Sequence, residues 1–259
     1  MDWSQKRKII YAVGFAAVLI TLASYPTYTL LHKTPTCSDG KKNGTETGVD
    51  CGGGCALICL SDAKAPRVVW AKAFSLGGNV YDLGAYVENP NTQAGVKNAR
   101  YTIRVYNTAG SLAVEKKGTT EIAPGSGVII FEPNVMFEGV ADRVEIIFNQ
   151  EDISRWISSS VAASVVSIKN KNLTNADTKP RFDAVVVNSD RVNSASNLVL
   201  SAVVYNGNRN PIAVSKTYVD FIPKSGEQNV VFTWPNKFDV SSGNFITEII
   251  VSPQVIFME

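Results

Sequence analysis

The chain has 259 residues, which is room for one or two domains, since a β-sandwich takes roughly 100 residues. Its 25 Lys and Arg residues nearly balance 23 Asp and Glu residues, and no basic block occurs after the first ten positions. This distribution lacks the positive patch of a nucleic-acid-binding protein, so we expect no nucleic-acid partner.

The first predicted element is a membrane-spanning helix. The segment Ile9–Leu31 contains no charged residue, and at about 1.5 Å per residue it is long enough to cross a hydrocarbon layer roughly 30 Å thick. Lys6, Arg7 and Lys8 lie just before it, and basic residues beside a span stay in the cytoplasm. We therefore expect a single-pass protein of the cytoplasmic membrane, with residues 1–8 inside, a helix in contact with lipid, and the bulk of the chain on the cell surface.

A cleaved signal peptide is the alternative interpretation of this segment. A basic start followed by an apolar run fits one, and Ala23–Tyr25 loosely matches a small-residue cleavage site. A clean A-x-A sequence is absent, however, and the uncharged run is longer than a typical signal-peptide core, which favours an uncleaved anchor. Either interpretation takes the rest of the chain out of the cytoplasm.

All four cysteines follow in a Gly-rich linker predicted at residues 32–66. They are Cys37, Cys51, Cys55 and Cys59. An even number of cysteines in one short, translocated segment predicts two disulfides, with three pairings open. A zinc site with four thiolates is the alternative, but the spacing lacks two C-x-x-C knuckles and an oxidising compartment favours disulfides.

Oxygen-bearing side chains are concentrated between these cysteines. Asp39, Asn43, Glu46 and Asp50 lie in a loop bent by glycines, and oxygen ligands are what a hard cation such as calcium takes. The spacing is not that of an EF-hand, and the favoured interpretation makes them turn residues with solvated side chains. Calcium is thus the metal candidate for these oxygen ligands, and no other cofactor is expected.

The linker contains a recognisable sequence pattern. From Cys37 to Cys55 it reads C-x-D-G-x-x-N-G-x-E-T-G-x-D-C-G-G-x-C. This pattern resembles a short element found in secreted bacterial surface proteins, near anchors or between modules. The resemblance implies a location and does not imply a reaction.

From Arg67 onward the chain is typical of antiparallel β-structure, with short β-branched and aromatic runs between Gly, Pro, Asn and Asp. A helical turn is expected at Glu151–Ser159, and two tandem β-sandwiches are expected at residues 67–160 and 161–259. The predicted strands are Arg67–Leu76, Val80–Glu88, Ala99–Asn107, Leu112–Ile122, Gly127–Phe131 and Arg143–Phe148, then Ala163–Lys169, Arg181–Asn188, Leu198–Asn206, Ile212–Ile222, Gln228–Trp234 and Ile246–Val251.

The two halves share short motifs in the same order. Val105-Tyr106-Asn107 recurs as Val204-Tyr205-Asn206, and Glu145-Ile146-Ile147 recurs as Glu248-Ile249-Ile250. Recurrence in a constant order predicts an internal duplication, in which each repeat has the same strand sequence and its own core.

Three motifs of the first repeat occur together in known families. They are Val87-Glu88-Asn89-Pro90-Asn91, the hairpin from Tyr101 to Gly110, and the turn Ile122-Ala123-Pro124-Gly125. Together they resemble the late-embryogenesis-abundant type sandwich and its bacterial FxLYD-like relatives. The resemblance implies an immunoglobulin-like β-sandwich of about seven strands and, in most members, no catalytic activity. Fold analogy does not by itself assign a function.

Catalytic constellations are not expected. His32 is the single histidine, which excludes Ser-His-Asp and Cys-His arrangements in the sandwiches. No phosphate-binding glycine motif is present. Acidic pairs such as Asp82 with Glu88, or Asp183 with Asp220, have no spacing that distinguishes them from surface acids. We therefore expect a protein that is not an enzyme and has no small-molecule substrate.

Three tryptophans are candidate recognition residues. Trp70, Trp156 and Trp234 fit an exposed aromatic patch, and the alternative places them in the cores, where aromatics at alternating strand positions usually lie. The sequence does not separate the two.

These features together predict a membrane-anchored, extracytoplasmic, non-enzymatic interaction or structural module, such as a stalk, scaffold or adhesin. Its expected partner is another surface protein, a wall polymer or a second copy of the chain, with a protein partner or self-association favoured. The alternative function is a fixed accessory subunit of an envelope secretion or pilus-type assembly, and a surface hydrolase is less favoured.

Overall fold

The computed structural model describes residues 3–31, 36–161, 166–252 and 255–257. It is a mainly β protein, with one N-terminal helix followed by antiparallel sheets. Helix α1 spans Trp3–Leu31 and continues through Pro26. None of its described side chains is buried, although it is almost entirely apolar from Ile9 onward. By length and hydropathy it is sufficient to cross a membrane, a property that a signal sequence shares.

All twelve predicted strands are present, four of them with the predicted bounds. In the first half they are β1 (Arg67–Gly77), β2 (Val80–Glu88), β3 (Ala94–Asn107), β4 (Leu112–Ile122), β5 (Gly127–Met136) and β6 (Ala141–Phe148), followed by the short helix α2 (Gln150–Ile153) and β7 (Ile157–Val161). In the second half they are β8 (Val166–Thr174), β9 (Arg181–Asn188), β10 (Ala195–Tyr205), β11 (Pro211–Ile222), β12 (Glu227–Thr233) and β13 (Ile246–Val251), with a 3₁₀ helix at Val240–Ser242 before β13 and β14 (Val255–Phe257) after it.

Each half is a sandwich of two antiparallel sheets. In the first half the sheet β1-β2-β5 faces a sheet in which β3 pairs with β4 and β6. Alternate residues of β2 point into this first core, among them Leu83, Ala85 and Val87. The second half repeats the arrangement, with β12-β9-β8 facing β11-β10-β13. Its core includes Phe182 and Phe232, whose rings are stacked with centroids 6.0 Å apart.

The two sandwiches pack against each other through a third apolar cluster, which we call the seam. It lies between sheet β1-β2-β5 and sheet β11-β10-β13, so that β2 and β10 are buried on both faces. The seam contains the buried residues Phe74, Ile129, Val203 and Val214 and the partly buried residues Trp70, Tyr86, Phe131, Tyr205 and Ile250. The result is a stack of four sheets with three apolar layers between them.

Gly84 on β2 is required for close approach at the seam. A Cβ at this position would lie 3.0 Å from Cε2 of Phe74 and 3.1 Å from Cγ2 of Val214. Two hydrogen bonds flank the apolar contact: Lys72 Nζ donates to the carbonyl of Pro211 at 3.1 Å, and Asn236 Nδ2 donates to the carbonyl of Ser75 at 3.2 Å.

A buried asparagine follows β2 and its counterpart β9. Asn89 and Asn188 are 4% and 0% exposed, and each amide donates to backbone carbonyls in two separate loops at 2.7 to 3.2 Å. The acceptors are Ala94 and Ala123 for Asn89, and Asn193 and Pro223 for Asn188. Because each amide joins two separate backbone segments, these side chains fix the same loops in both halves. The V-x-N-P-N motif of the first half and its replacement Asn188-Ser189-Asp190 in the second half both contain this buried asparagine.

Strand β5 is longer than the predicted strand Gly127–Phe131. The strand continues through Pro133 to Met136. Pro is accepted because β5 is an edge strand that pairs with β2 alone in its sheet, and a bulge interrupts the register between Tyr81 and Leu83 of β2. Asp82 lies at the bulge, where its Oδ1 accepts a hydrogen bond from the Asn134 amide at 2.9 Å.

The junction between the halves also differs from the prediction of one helical turn over Glu151–Ser159. Helix α2 ends at Ile153, and Ile157–Val161 form strand β7, which pairs with the start of β3. The predicted strand Ala163–Lys169 begins at Val166, and residues 162–165 lie outside the described ranges. Strand β14 was not predicted, and it returns from the second half to pair with β7.

Candidate functional site

The cysteine-rich segment is closed by two disulfides, Cys37–Cys55 and Cys51–Cys59. The structure thus selects one of the three pairings that the sequence left open. Gly48 makes room for the second bridge, since a Cβ there would lie 2.7 Å from the sulfurs of both Cys51 and Cys59. The zinc alternative is wrong for this state because all four sulfurs are bonded in disulfides.

The predicted oxygen ligands lie in one loop, where the carboxylates hold backbone amides. Asp50 accepts from the amides of Asp39 and Gly40 at 2.9 Å, and Glu46 accepts from those of Asn43 and Asp50 at 3.2 and 3.3 Å. Asp39 accepts from the Asn43 side-chain amide at 2.8 Å. The Asn43 Oδ1 is buried and has no hydrogen-bond donor among the described residues. These contacts hold the loop without a cation, and calcium binding stays a prediction.

The cysteine-rich segment is attached directly to the first sandwich. The Ile58 amide donates to the carbonyl of Trp156 at 2.8 Å, and the Ser158 amide donates to the carbonyl of Ala56 at 2.6 Å. Farther along, Lys64 and Asn91 exchange two hydrogen bonds of 2.7 and 2.8 Å. The segment is therefore an extension of the β7 edge and not a loose spacer.

The three candidate tryptophans have different environments. Trp156 is 1% exposed in the first core, and Trp234 is 6% exposed in the second, where its Nε1 donates to the carbonyl of Val214 at 3.1 Å. The recognition role is wrong for these two, because each lies next to the end of a strand with its ring buried in a core. Trp70 is half-buried at the seam and lines a surface pocket.

This aromatic pocket, defined by Trp70, Tyr86 and Tyr205, is a candidate binding site at one end of the seam. Its volume is about 200 Å³, and Arg209 and Glu248 are also in its wall. The rings of Trp70 and Tyr86 have centroids 6.5 Å apart. All three aromatics lie in predicted strands, but nothing in the sequence indicated that the two halves would bring them together.

Burial and acidic neighbours both act on the tyrosines of the aromatic pocket. Burial, and then the carboxylates of Glu88 and Glu248, raise the pKa of Tyr86. Burial and Glu248 also raise the pKa of Tyr205, which the Trp70 indole opposes. Both hydroxyls therefore remain protonated at neutral pH. The pocket offers aromatic faces and hydroxyl donors next to one carboxylate, a combination suited to recognition.

Asp82 and Glu88 do not have the separation of a glycosidase carboxylate pair. Asp82 and Glu88 are six positions apart in strand β2, a separation of about 20 Å, whereas glycosidase carboxylates lie within roughly 10 Å. Burial raises the pKa of Asp82, while the Asn134 amide opposes this. Glu88 pairs with Arg67, and Asp183 pairs with Arg181 at 2.7 Å. His32 lies outside the described residues.

Comparisons with known proteins do not identify a family for this chain. No family model matches the chain, and no curated protein matches it. Among solved structures, red sea bream transglutaminase aligns over 75% of this chain and 31% of its own length, at 10% identity and a TM-score of 0.25. A β-glucuronidase of Parabacteroides merdae aligns over 70% of this chain and 28% of its own, at 11% identity and a TM-score of 0.23. TM-scores this low carry no argument about fold or activity.

Proposed function

We propose that the protein is a membrane-anchored, extracytoplasmic interaction module without catalytic activity, in which α1 is the retained anchor and two immunoglobulin-like sandwiches present a binding surface to another protein. The observation that carries the proposal is the continuous attachment of the disulfide-bonded segment to β7. It makes the segment after the helix part of the folded body.

The compartment is inferred from the cysteines. Disulfides persist in oxidising environments and are rare in the cytosol, where thiols are kept reduced. Both bridges lie close behind α1, and Cys55 and Cys59 are 3% and 5% exposed. Lys6, Arg7 and Lys8 lie at the other end of the helix, and their charge favours a cytoplasmic N-terminus.

Rigidity supports an interaction role. The seam buries aromatic and β-branched side chains from both sandwiches, and the pairing of β14 with β7 adds a second connection between the halves. A binding surface on a rigid body loses less conformational entropy on association than one on a hinged body. The aromatic pocket lies on this body, and partially exposed Trp and Tyr are the residue types most enriched at protein interfaces.

Site-specific photocrosslinking in membranes tests the proposal. A photoreactive amino acid replaces Val69, which is 44% exposed at the edge of the aromatic pocket, or in the control Val231, which is 39% exposed on β12. We expect a reproducible protein adduct from position 69 and not from position 231. Identical adducts at both positions, or none at 69, would contradict the proposal.

An accessory subunit of an envelope assembly is the second candidate. It is favoured by the small residues Gly14, Ala16 and Ala17 of α1, which allow close helix packing. Replacement of α1 by an unrelated transmembrane segment separates the two functions. A simple anchor tolerates the exchange, whereas an assembly subunit loses its place in the complex.

A further inference from the structure

A second cleft lies at the other end of β10 from the aromatic pocket. It has a volume of about 490 Å³, within the range of small-molecule sites. Residues from β4, β5, β10 and β11 form its walls, so both sandwiches contribute and the cleft exists only when the seam is formed. We call it the Lys216 cleft.

Lys216 places a partly desolvated cation in this cleft. Its side chain is half-buried, and burial lowers the pKa of its ammonium group, while the carboxylate of Glu132 opposes this. Within the part of the chain that the structure describes, the ammonium makes no ion pair or hydrogen bond. The Glu132 carboxylate accepts instead from the hydroxyl of Tyr101 at 2.7 Å. A desolvated cation without a hydrogen-bonded partner is costly unless a ligand supplies an anion.

The rest of the lining is polar and aromatic, and it includes the carboxylate of Glu121, whose pKa is raised by burial and lowered by Lys97. The carboxylate that acts on Lys216 is that of Glu132 and not that of Glu121. Hydroxyl groups are provided by Thr119, Thr120 and Ser126, on the side of the cleft that belongs to the first sandwich. Tyr218, two positions beyond Lys216 on β11, is 67% exposed and presents a ring at the cleft margin. Hydroxyls that exchange hydrogen bonds, one flat aromatic face and one cation are together the complement of a sugar that carries a carboxylate.

We propose that the Lys216 cleft binds an acidic saccharide, with the carboxylate on the Lys216 ammonium and a sugar face against Tyr218. The ligand class would be uronic-acid-type units of a surface polymer, held in the groove between the sandwiches. The assignment rests on the proposed function and adds a polymer ligand to the protein partner of the module.

Calorimetric titration of the purified full chain in mild detergent tests the assignment. The probe is a hyaluronan tetrasaccharide, which alternates glucuronate and N-acetylglucosamine, and the neutral comparison is chitotetraose. We expect binding of the acidic probe only. Lys216→Met is expected to weaken it at least about tenfold, Lys216→Arg to retain it, and Tyr218→Ala to weaken it about tenfold.

The control variant is Lys117→Met, which removes a lysine that is 76% exposed on β4 and is expected to leave affinity unchanged. Equal binding of the neutral probe, equal losses from Lys216→Met and Lys117→Met, or no binding by the wild-type chain would overturn the assignment. Binding of an acidic peptide in place of the saccharide would also overturn it. Because the titration uses purified protein, its failure leaves the crosslinking test of membrane placement and protein interaction unaffected.

Discussion

Val203 provides a direct test of the seam between the two sandwiches. Its side chain is 0% exposed and contacts the seam, while the opposite face of β10 packs in the second core. The substitution Val203→Ala removes two methyl groups, worth about 1.6 kcal/mol of transfer free energy at roughly 0.8 kcal/mol each. The cavity left between two sheets adds to this, so we expect a total loss of about 2 to 3 kcal/mol in the free energy of unfolding.

The matched control is Val231→Ala, which removes the same atoms from the exposed face of β12, where Val231 is 39% exposed. Its expected cost is below about 1 kcal/mol, since much of the side chain is already in water. The assay is equilibrium urea denaturation of the full chain in mild detergent, followed by tryptophan fluorescence. Equal costs for the two variants would refute the reasoning, because they would mean that Val203 is in water and the sandwiches are not packed together.

Three further predictions concern the buried asparagine, the turn at Ser225 and the half-buried Lys216. Asn89→Ala leaves the buried carbonyls of Ala94 and Ala123 without this donor and is expected to cost about 2 to 3 kcal/mol in urea denaturation, and a cost below about 0.5 kcal/mol would contradict the network. Ser225 has a φ of 52° where the first half has Gly125 at 59°, so Ser225→Gly is expected to stabilise the protein by about 1 kcal/mol, while Gly125→Ser destabilises it. Lys216→Met is expected to raise the melting temperature at pH 7. The pKa of Lys216 is lower in the folded state than in the unfolded state, so wild-type stability rises with pH between those two values. The higher melting temperature of Lys216→Met over wild type therefore shrinks as the pH approaches 10.5. A difference in melting temperature that stays constant with pH would contradict this.

The strands were predictable because runs of β-branched and aromatic residues lie between Gly, Pro, Asn and Asp residues. Val80–Glu88 and Arg181–Asn188 have the predicted bounds for this reason. Strand β5 was predicted too short because proline normally ends a strand, and only its edge position, known from the sheet order, allows Pro133 within it.

The seam and the clefts could not be predicted in the same way. Alternation identifies one buried face for each strand, whereas β2 and β10 are buried on both. A signal was present in Leu198–Val204, a nearly continuous apolar run of the kind found in strands covered on both sides. Which sheet covers the second face depends on how two sheets that are far apart in the sequence pack together. The burial of Lys216 depends on the same packing. The disulfide pairing was likewise undetermined, since three pairings satisfy the same spacing.

The proposed function requires the disulfide-bonded segment to lie outside the cytoplasmic membrane. This placement is tested most directly by labelling thiols in intact spheroplasts with a membrane-impermeant maleimide mass tag, before and after a membrane-impermeant reductant. We predict no tags before reduction and four tags after it, on Cys37, Cys51, Cys55 and Cys59. Tags that appear without reductant, or only after the membrane is permeabilised, would contradict the account.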